Sequence, residues 1–173
     1  EADLEYFDNV ALNYWLALGQ LFPETESFFL AIQDQVISTR RYLRHIVKDP
    51  SIQSDQCRYG CQVVENIQHI TGGCQMFAAT EYKDRHDAAA KIAHHKLAQK
   101  TQMLQGGKIP YYNYSPESIL ENEDYKIYWD RTVLTDQAAT HNRPDIIIVD
   151  KRARKTTMID ISIPNNNNLQ TKH

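Results

Sequence analysis

The chain has no apolar run approaching the roughly 18 residues that a membrane span requires, so no membrane partner is expected. No secretory signal precedes the first motif. An excess of basic charge is missing as well: 19 Lys and Arg against 22 Asp and Glu give a net charge of −3 and a pI of about 6.2. That argues against a globally basic nucleic-acid binder, although local patches still set the field at a site. Cysteine is scarce and odd in number, three in all. An odd count disfavours a disulfide framework and leaves metal binding or buried thiols, so an intracellular location is expected. No internal repeat is visible. What is present suffices for a core, since 42% of residues are hydrophobic and the chain is not disordered by composition. Its 173 residues suit one domain or a module of a larger protein. It starts at Glu1 rather than a Met and stops at His173 after the Asn165-Asn166-Asn167-Asn168 run, which suggests a piece of something longer.

The first half reads as helical. Asn9 to Gly19 carries Val10, Ala11, Tyr14, Trp15 and Leu18, with Gly19 as a stop. After Pro23, the run Glu24 to Lys48 places Phe29, Ile32, Val36, Leu43 and Ile46 or Val47 at three- and four-residue spacing, a face suited to packing. Asp49-Pro50-Ser51 ends it, because the residue before a proline avoids the helical region. The far end of this helix carries Arg40, Arg41, Arg44, His45 and Lys48. A second basic cluster holds Lys151, Arg152, Arg154 and Lys155. Each reads either as a nucleic-acid contact or as a solvated face. Phe77 to Thr101 is a further helix, with Ala89, Ile92, Ala93 and Leu97 in register, and Gly106-Gly107 breaks the pattern. His94 and His95 are neighbours on that helix and point about 100° apart, a poor chelating pair expected at the surface or its boundary. Pro110 to Asn122, with Tyr111, Tyr112, Tyr114 and Pro116, reads as irregular, and Tyr125 to Val133 as a strand.

Between these helices, Cys57-x3-Cys61-x7-His69-x4-Cys74 supplies three thiolates and an imidazole, the ligand set of a closed tetrahedral zinc site. All three cysteines fall in this one window. Val64 to Ile70 can make a short helix presenting His69, Gly72-Gly73 lets the chain turn back to Cys74, and Gly60 allows a tight turn beside Cys61. The alternative is a buried thiol pair with a helix-surface His. Four protein ligands leave no open position, so such a zinc stabilises rather than catalyses.

The C-terminal part carries two β-branched runs, from Arg143-Pro144-Asp145 through Ile146-Ile147-Ile148-Val149 and from Thr156-Thr157-Met158-Ile159 to Asp160. They flank the polar Asp150-Lys151-Arg152-Ala153-Arg154-Lys155, as in a hairpin. Symmetric pairing sets Val149 against Thr156 and Asp145 against Asp160. Opposed side chains have Cβ atoms roughly 4.5–5.5 Å apart, and like charges so placed repel. A divalent cation with oxygen preference, most simply Mg²⁺, turns that repulsion into a binding site, and a carboxylate-held metal suits phosphodiester hydrolysis. In the alternative, the hairpin is solvated and the two acids never meet.

Taken in order, Cys57, Cys61, His69 and Cys74, then Arg85-His86, then Arg143-Pro144-Asp145 and Asp160, resemble the C-terminal region of site-specific non-LTR retrotransposon polyproteins that carry a restriction-like endonuclease. Ile32-Gln33-Asp34-Gln35 and Tyr128-Trp129-Asp130-Arg131 fit too, and the likeness spans roughly residues 20 to 170. The resemblance implies a helical linker region (1–50), a Cys-Cys-His-Cys zinc knuckle (51–76) and a PD-(D/E)XK-like endonuclease core (77–173), C-terminally truncated. The fold class is α+β, a small mixed sheet with flanking helices. It implies structural Zn, catalytic Mg²⁺ held by Asp145 and Asp160, and Arg85 and His86 acting beside the cleavage site. Arg40, Arg41, Arg44 and Arg143 are the expected nucleic-acid-binding residues.

The implied activity is nicking of target DNA by water attack on a phosphodiester, which primes reverse transcription. The implied partners are target DNA, element RNA and the reverse transcriptase in cis, whose polymerase is absent from this chain, and the implied location is nuclear. The sequence departs from the family at the usual catalytic lysine, where Ser162 stands two residues after the second acid. In these nucleases the lysine looks displaced to a following helix, and Lys172 is the only downstream lysine here. A zinc-stabilised nucleic-acid-binding fragment with an incomplete nuclease site is the alternative reading.

Overall fold

The computed structural model describes residues 8–104, 109–134, 136 and 142–164. Gly106-Gly107, the Asn165–Asn168 run and Lys172 lie outside the described residues. The chain is a mixed α/β protein with several helices and a four-stranded antiparallel sheet. It divides into two units, one of residues 8–78 with Pro164 and one of residues Ala79–Ile163.

In the first unit, α1 (Asn9–Leu18) starts where Asp8 Oδ1 accepts from the amides of Val10 and Ala11 at 2.9 and 3.0 Å, a side-chain cap for two otherwise unbonded donors. Its Trp15 ring meets Phe29 of α2 (Pro23–Gln33) at 5.4 Å. Pro23 sits in the first turn of α2, where its missing N–H costs nothing, and Glu24 and Glu26 face the positive end of the helix dipole.

The single helix expected over 24–48 does not form. α2 stops at Gln33 because Gln35 adopts a left-handed φ of 60°. Its amide then donates to Ile32 O at 3.1 Å and the Val36 amide to Ala31 O at 2.9 Å. That pair of bonds is a Schellman termination, here with glutamine in the position glycine usually takes. Helical structure resumes at α3 (Arg40–Tyr42), where Thr39 Oγ1 accepts from the Tyr42 amide at 3.2 Å. It widens into a π turn, Leu43–Val47, that Lys48 closes at φ 60°. The apolar face expected to pack is correspondingly uncovered: Phe29 is 45% exposed and Ile46 68%.

The second unit is built on α4 (Glu81–Lys100). His86, Ala90, His94 and Ala98 recur every four residues and so share one face. Ala90, His94, His95 and Ala98 are buried, which corrects the expectation that His94 and His95 lie at the surface. Their burial has a partner at another position: Tyr114 Oη lies 2.7 Å from His94 Nδ1, and the Tyr114 ring packs on both imidazoles. Desolvation, reinforced by His95, pulls the His94 pKa down to about 4, so the ring is neutral at physiological pH. Where α4 ends, Thr101 O accepts from Asn122 Nδ2 at 2.8 Å, and Asn122 Oδ1 accepts from the amides of Asp124 and Tyr125. One side chain thus ties the helix end to the turn between the first two strands.

The strands are β1 (Ile119–Glu121), β2 (Tyr125–Trp129), β3 (Ile146–Asp150) and β4 (Lys155–Ile159), in sheet order β1-β2-β3-β4. A mixed sheet was expected, but every pairing among the described strands is antiparallel, because each strand pairs with the one next to it in sequence. β1 falls within the stretch expected to be irregular. The strand expected to reach Val133 ends at Trp129, where Asp130 turns left-handed at φ 49°. Trp129 opposes Ile146 and Ile127 opposes Ile148, so these four share a face. That face holds the core: Ile127 and Ile146 are fully buried, and Trp129 meets the edge of His94 at 5.3 Å.

Candidate metal centres

Cys57, Cys61, His69 and Cys74 converge in the first unit, with one ligand atom from each lying within 4.8 Å of all the others. No disulfide joins the cysteines. Cys57 Sγ and Cys61 Sγ lie 3.9 and 3.8 Å from Cys74 Sγ. Zinc–sulfur bonds of ~2.3 Å at tetrahedral angles require sulfurs about 3.8 Å apart, so these separations already match a tetrahedron's edges. The Cys61 Sγ to His69 Nε2 separation, 3.0 Å, is shorter than the ~3.6 Å edge the same geometry implies, so this edge opens by a few tenths of an ångström around a cation.

Local backbone accounts for the convergence. The Cys57 amide donates to Val63 O at 2.8 Å and the Gly60 amide to Cys57 O at 3.1 Å, a turn that puts Gly60 at φ 87°. The Tyr59 amide donates to Cys57 Sγ at 3.4 Å, the outer bond that orients a thiolate ligand. His69 is presented by a helical turn that widens into a π turn, His69–Gly73, and its amide donates to Asn66 Oδ1 at 2.7 Å. Burial pushes both Cys57 and Cys61 upward. For Cys57 the Tyr59 amide and the neighbouring Cys61, His69 and Cys74 overcome it and bring the thiol to about 7. Cys61 is pushed up to about 11 by burial and by Cys57 and Cys74. One thiolate forms readily and the next is resisted, a resistance that a bound dication removes.

Glu65 anchors this unit and carried no spacing signal in the sequence. It is fully buried within the same unit. Its carboxylate accepts from the Arg40 amide at 2.9 Å, the Arg58 amide at 2.8 Å and Arg58 Nη2 at 2.6 Å. Burial opposes the charge, but Arg58 and the two amides outweigh it and hold the carboxyl at about 2. The expected nucleic-acid-binding arginines are partly used here. Arg40 Nη1 donates to Gln56 O at 3.3 Å and Arg44 Nη1 to Gln53 O at 2.6 Å, while the Arg41 side chain lines a groove of about 810 Å³ with Tyr42, His45 and Asn66.

In the second unit the hairpin register is the expected one: Val149 opposes Thr156, Asp150 opposes Lys155 and Ile146 opposes Ile159. Asp145 and Asp160 flank the Ile146–Ile159 pair at this end of the hairpin, and the exposed Asp160 lies close enough to bear on the ionisation of Asp145. Asp145 Oδ2 accepts from the Ile161 amide at 2.7 Å and lies 3.3 Å from His86 Nε2. His86 Nε2 is also 2.8 Å from Ile161 O, and its Nδ1 is 3.1 Å from Asp87 Oδ1. The four-residue spacing along α4 explains how His86 comes here, since it lies on the same face as Ala90 and His94. Burial, with a contribution from Asp160, raises the Asp145 pKa against the opposing pull of the Ile161 amide and His86. The hydrogen bond to Asp87, with the charge of Asp145 and the Ile161 carbonyl, raises that of His86.

Arg85, one step round the helix from His86, is exposed, with its guanidinium 5.2 Å over the Tyr82 ring. Arg143 turns to Asp130, Nη2 donating to Oδ2 at 2.6 Å. Ser162 is exposed.

The molecule is therefore a mixed α/β protein with a Cys3His group able to hold a structural zinc, the one metal-ligand group found among the described residues, and with His86 set beside Asp145 in the second unit. Comparison with family models, curated proteins and solved structures finds no match. Among the described residues, no helix is long and apolar enough to cross a membrane.

Proposed function

We propose that residues 77–173 are the restriction-like core of a metal-dependent DNA endonuclease from a retrotransposon polyprotein, and that the Cys3His quartet is its structural zinc knuckle. The observation that carries the reading is the juxtaposition of Asp145 and Asp160 with His86 at the end of the β3–β4 hairpin. Two neighbouring carboxyls, one of them partly buried and raised in pKa chiefly by that burial, would be a donor set for an oxygen-preferring divalent cation. Mg²⁺ held there by Asp145 and Asp160 supplies Lewis acidity toward the scissile phosphate and a more acidic bound water. The Ile161 amide fixes the Asp145 carboxylate, and His86, pinned between Asp87 and Asp145, orients the phosphate or shuttles a proton at Nε2. On this reading the exposed Arg85, one residue before His86, contributes positive charge toward the DNA backbone. The partners on this reading are target DNA, element RNA and the reverse transcriptase in cis, and the location is nuclear.

Ser162, in place of the lysine usual in such enzymes, favours a second reading in which the fragment binds nucleic acid without cutting it. Incubation with supercoiled plasmid separates the two. The endonuclease nicks plasmid in Mg²⁺ or Mn²⁺ and Asp160→Ala abolishes nicking. Equal activity in the variant removes Asp160 from the mechanism, and an inert wild type that retains salt-dependent DNA binding establishes the second reading.

A further inference from the structure

The character of α4 changes halfway along. Its first turns mix Glu81, Asp84 and Asp87 with Lys83 and Arg85, whereas from Ala88 to Tyr114 there is no Asp or Glu but there are four lysines, Lys91, Lys96, Lys100 and Lys108. In a chain of net charge −3 this is a segregated basic stretch, and three tyrosines, Tyr111, Tyr112 and Tyr114, follow directly on it.

The second half of α4 and the segment that carries these tyrosines enclose a groove of about 380 Å³. Ile92, Lys96 and Gln99 form one wall, Pro110 and Tyr111 the other, and the buried His95 ring, held 4.7 Å from the Tyr114 ring, lies between. Tyr111 is 56% exposed although it lines the groove. Lys96 and Lys100 are exposed one helical turn apart.

We infer that this groove is a subsite for one strand of single-stranded DNA, with an unstacked base against Tyr111 and the adjoining phosphates along Lys96 and Lys100. The inference rests on the reading above that DNA is the partner. The chemistry of the groove selects the occupant. Apolar walls with one accessible aromatic ring accept the π face of any base, and lysines at the rim track a phosphate backbone. A base within a duplex offers only its edges, so the strand is single. The volume sits near the lower limit of ligand-sized sites, ~300–1,000 Å³, which suits a base or two and not a folded partner.

Fluorescence anisotropy of the full zinc-loaded chain with a short labelled oligothymidylate tests the assignment. Tyr111→Ala should weaken binding about tenfold or more, the effect of losing one stacked base. Tyr111→Phe should bind like wild type, Tyr112→Ala should change affinity less than about threefold because that ring is outside the groove lining, and Lys96→Glu should weaken binding and flatten its salt dependence. Wild type that does not bind, Tyr111→Ala that binds like wild type, Tyr111→Phe as weak as Tyr111→Ala, or tighter binding of the matching oligouridylate each overturn it. Plasmid nicking measured on the same samples keeps the two proposals apart. Binding lost in Tyr111→Ala with plasmid left intact by wild type supports the groove and rejects the nuclease, and nicking with oligonucleotide binding unchanged in Tyr111→Ala does the reverse.

Discussion

Replacing Glu65 with Gln removes the charge around which the zinc-binding unit is organised. The side chain is 1% exposed and takes hydrogen bonds from the amides of Arg40 and Arg58 and from the Arg58 guanidinium. It therefore ties the segment that begins α3 to the loop that carries Cys57. A carboxyl held at about 2 instead of its ordinary 4.5 contributes on the order of 3 kcal/mol at neutral pH. The Arg58 side chain is 45% exposed, so solvent screens part of that contribution. Gln keeps an acceptor for the amides and leaves Arg58 to solvent, so a loss of about 2 kcal/mol is expected.

The pKa is depressed, so this stability is complete above the unfolded value of 4.5 and is lost as pH falls toward 2. Urea-driven release of zinc to a chromophoric chelator reports on this unit at pH 7, where the midpoint should fall by on the order of 1–3 M for Glu65→Gln. Urea titrations followed by circular dichroism should give a constant gap between pH 7 and pH 5 that narrows below 4.5. Coincident midpoints at pH 7, or a gap undiminished near pH 2, refute the reasoning.

Other consequences can be checked singly. Protein prepared without chelator should contain zinc, and chelation or Cys61→Ser should abolish it and unfold the first unit; metal analysis that finds no zinc contradicts the tetrahedral reading. Tyr114→Phe leaves the buried His94 Nδ1 without its partner and should cost about 1–3 kcal/mol in thermal unfolding of the second unit; an unchanged Tm would show that the bond is not made. Asp160→Asn removes the neighbouring acid and should lower the Asp145 pKa in an NMR titration; no change means that the two carboxyls are not in contact.

The legible parts of the sequence were those in which one local rule leaves a single solution. Two β-branched runs of equal length about a polar loop admit one register, since a one-residue slip would turn Ile146 and Ile148 to the wrong face. The quartet was legible because its spacing alone brings four soft ligands within reach. The missed features are tertiary. Gln35 ends α2 in a conformation that its residue type does not advertise. His94 and His95 look like polar helix-surface residues until Tyr114, 20 residues further on, supplies a bond and two ring contacts. Glu65 and Arg58 gave no signal at all, because nothing in their spacing says that Arg40 donates its amide to the same carboxylate. The break in the 24–48 periodicity leaves Phe29, Val36 and Ile46 exposed where a continuous helix suggested a packed face.

The central claim is that Asp145 and Asp160 together form a divalent-cation site. Electron paramagnetic resonance of Mn²⁺ titrated into the zinc-loaded protein tests it most directly, because free and bound Mn²⁺ give distinct signals and activity is not needed as a readout. The account predicts a bound Mn²⁺ in the wild type that is lost in Asp160→Asn and displaced by excess Mg²⁺. A wild type that leaves all the Mn²⁺ free, or an Asp160→Asn variant that binds it as tightly, contradicts the account.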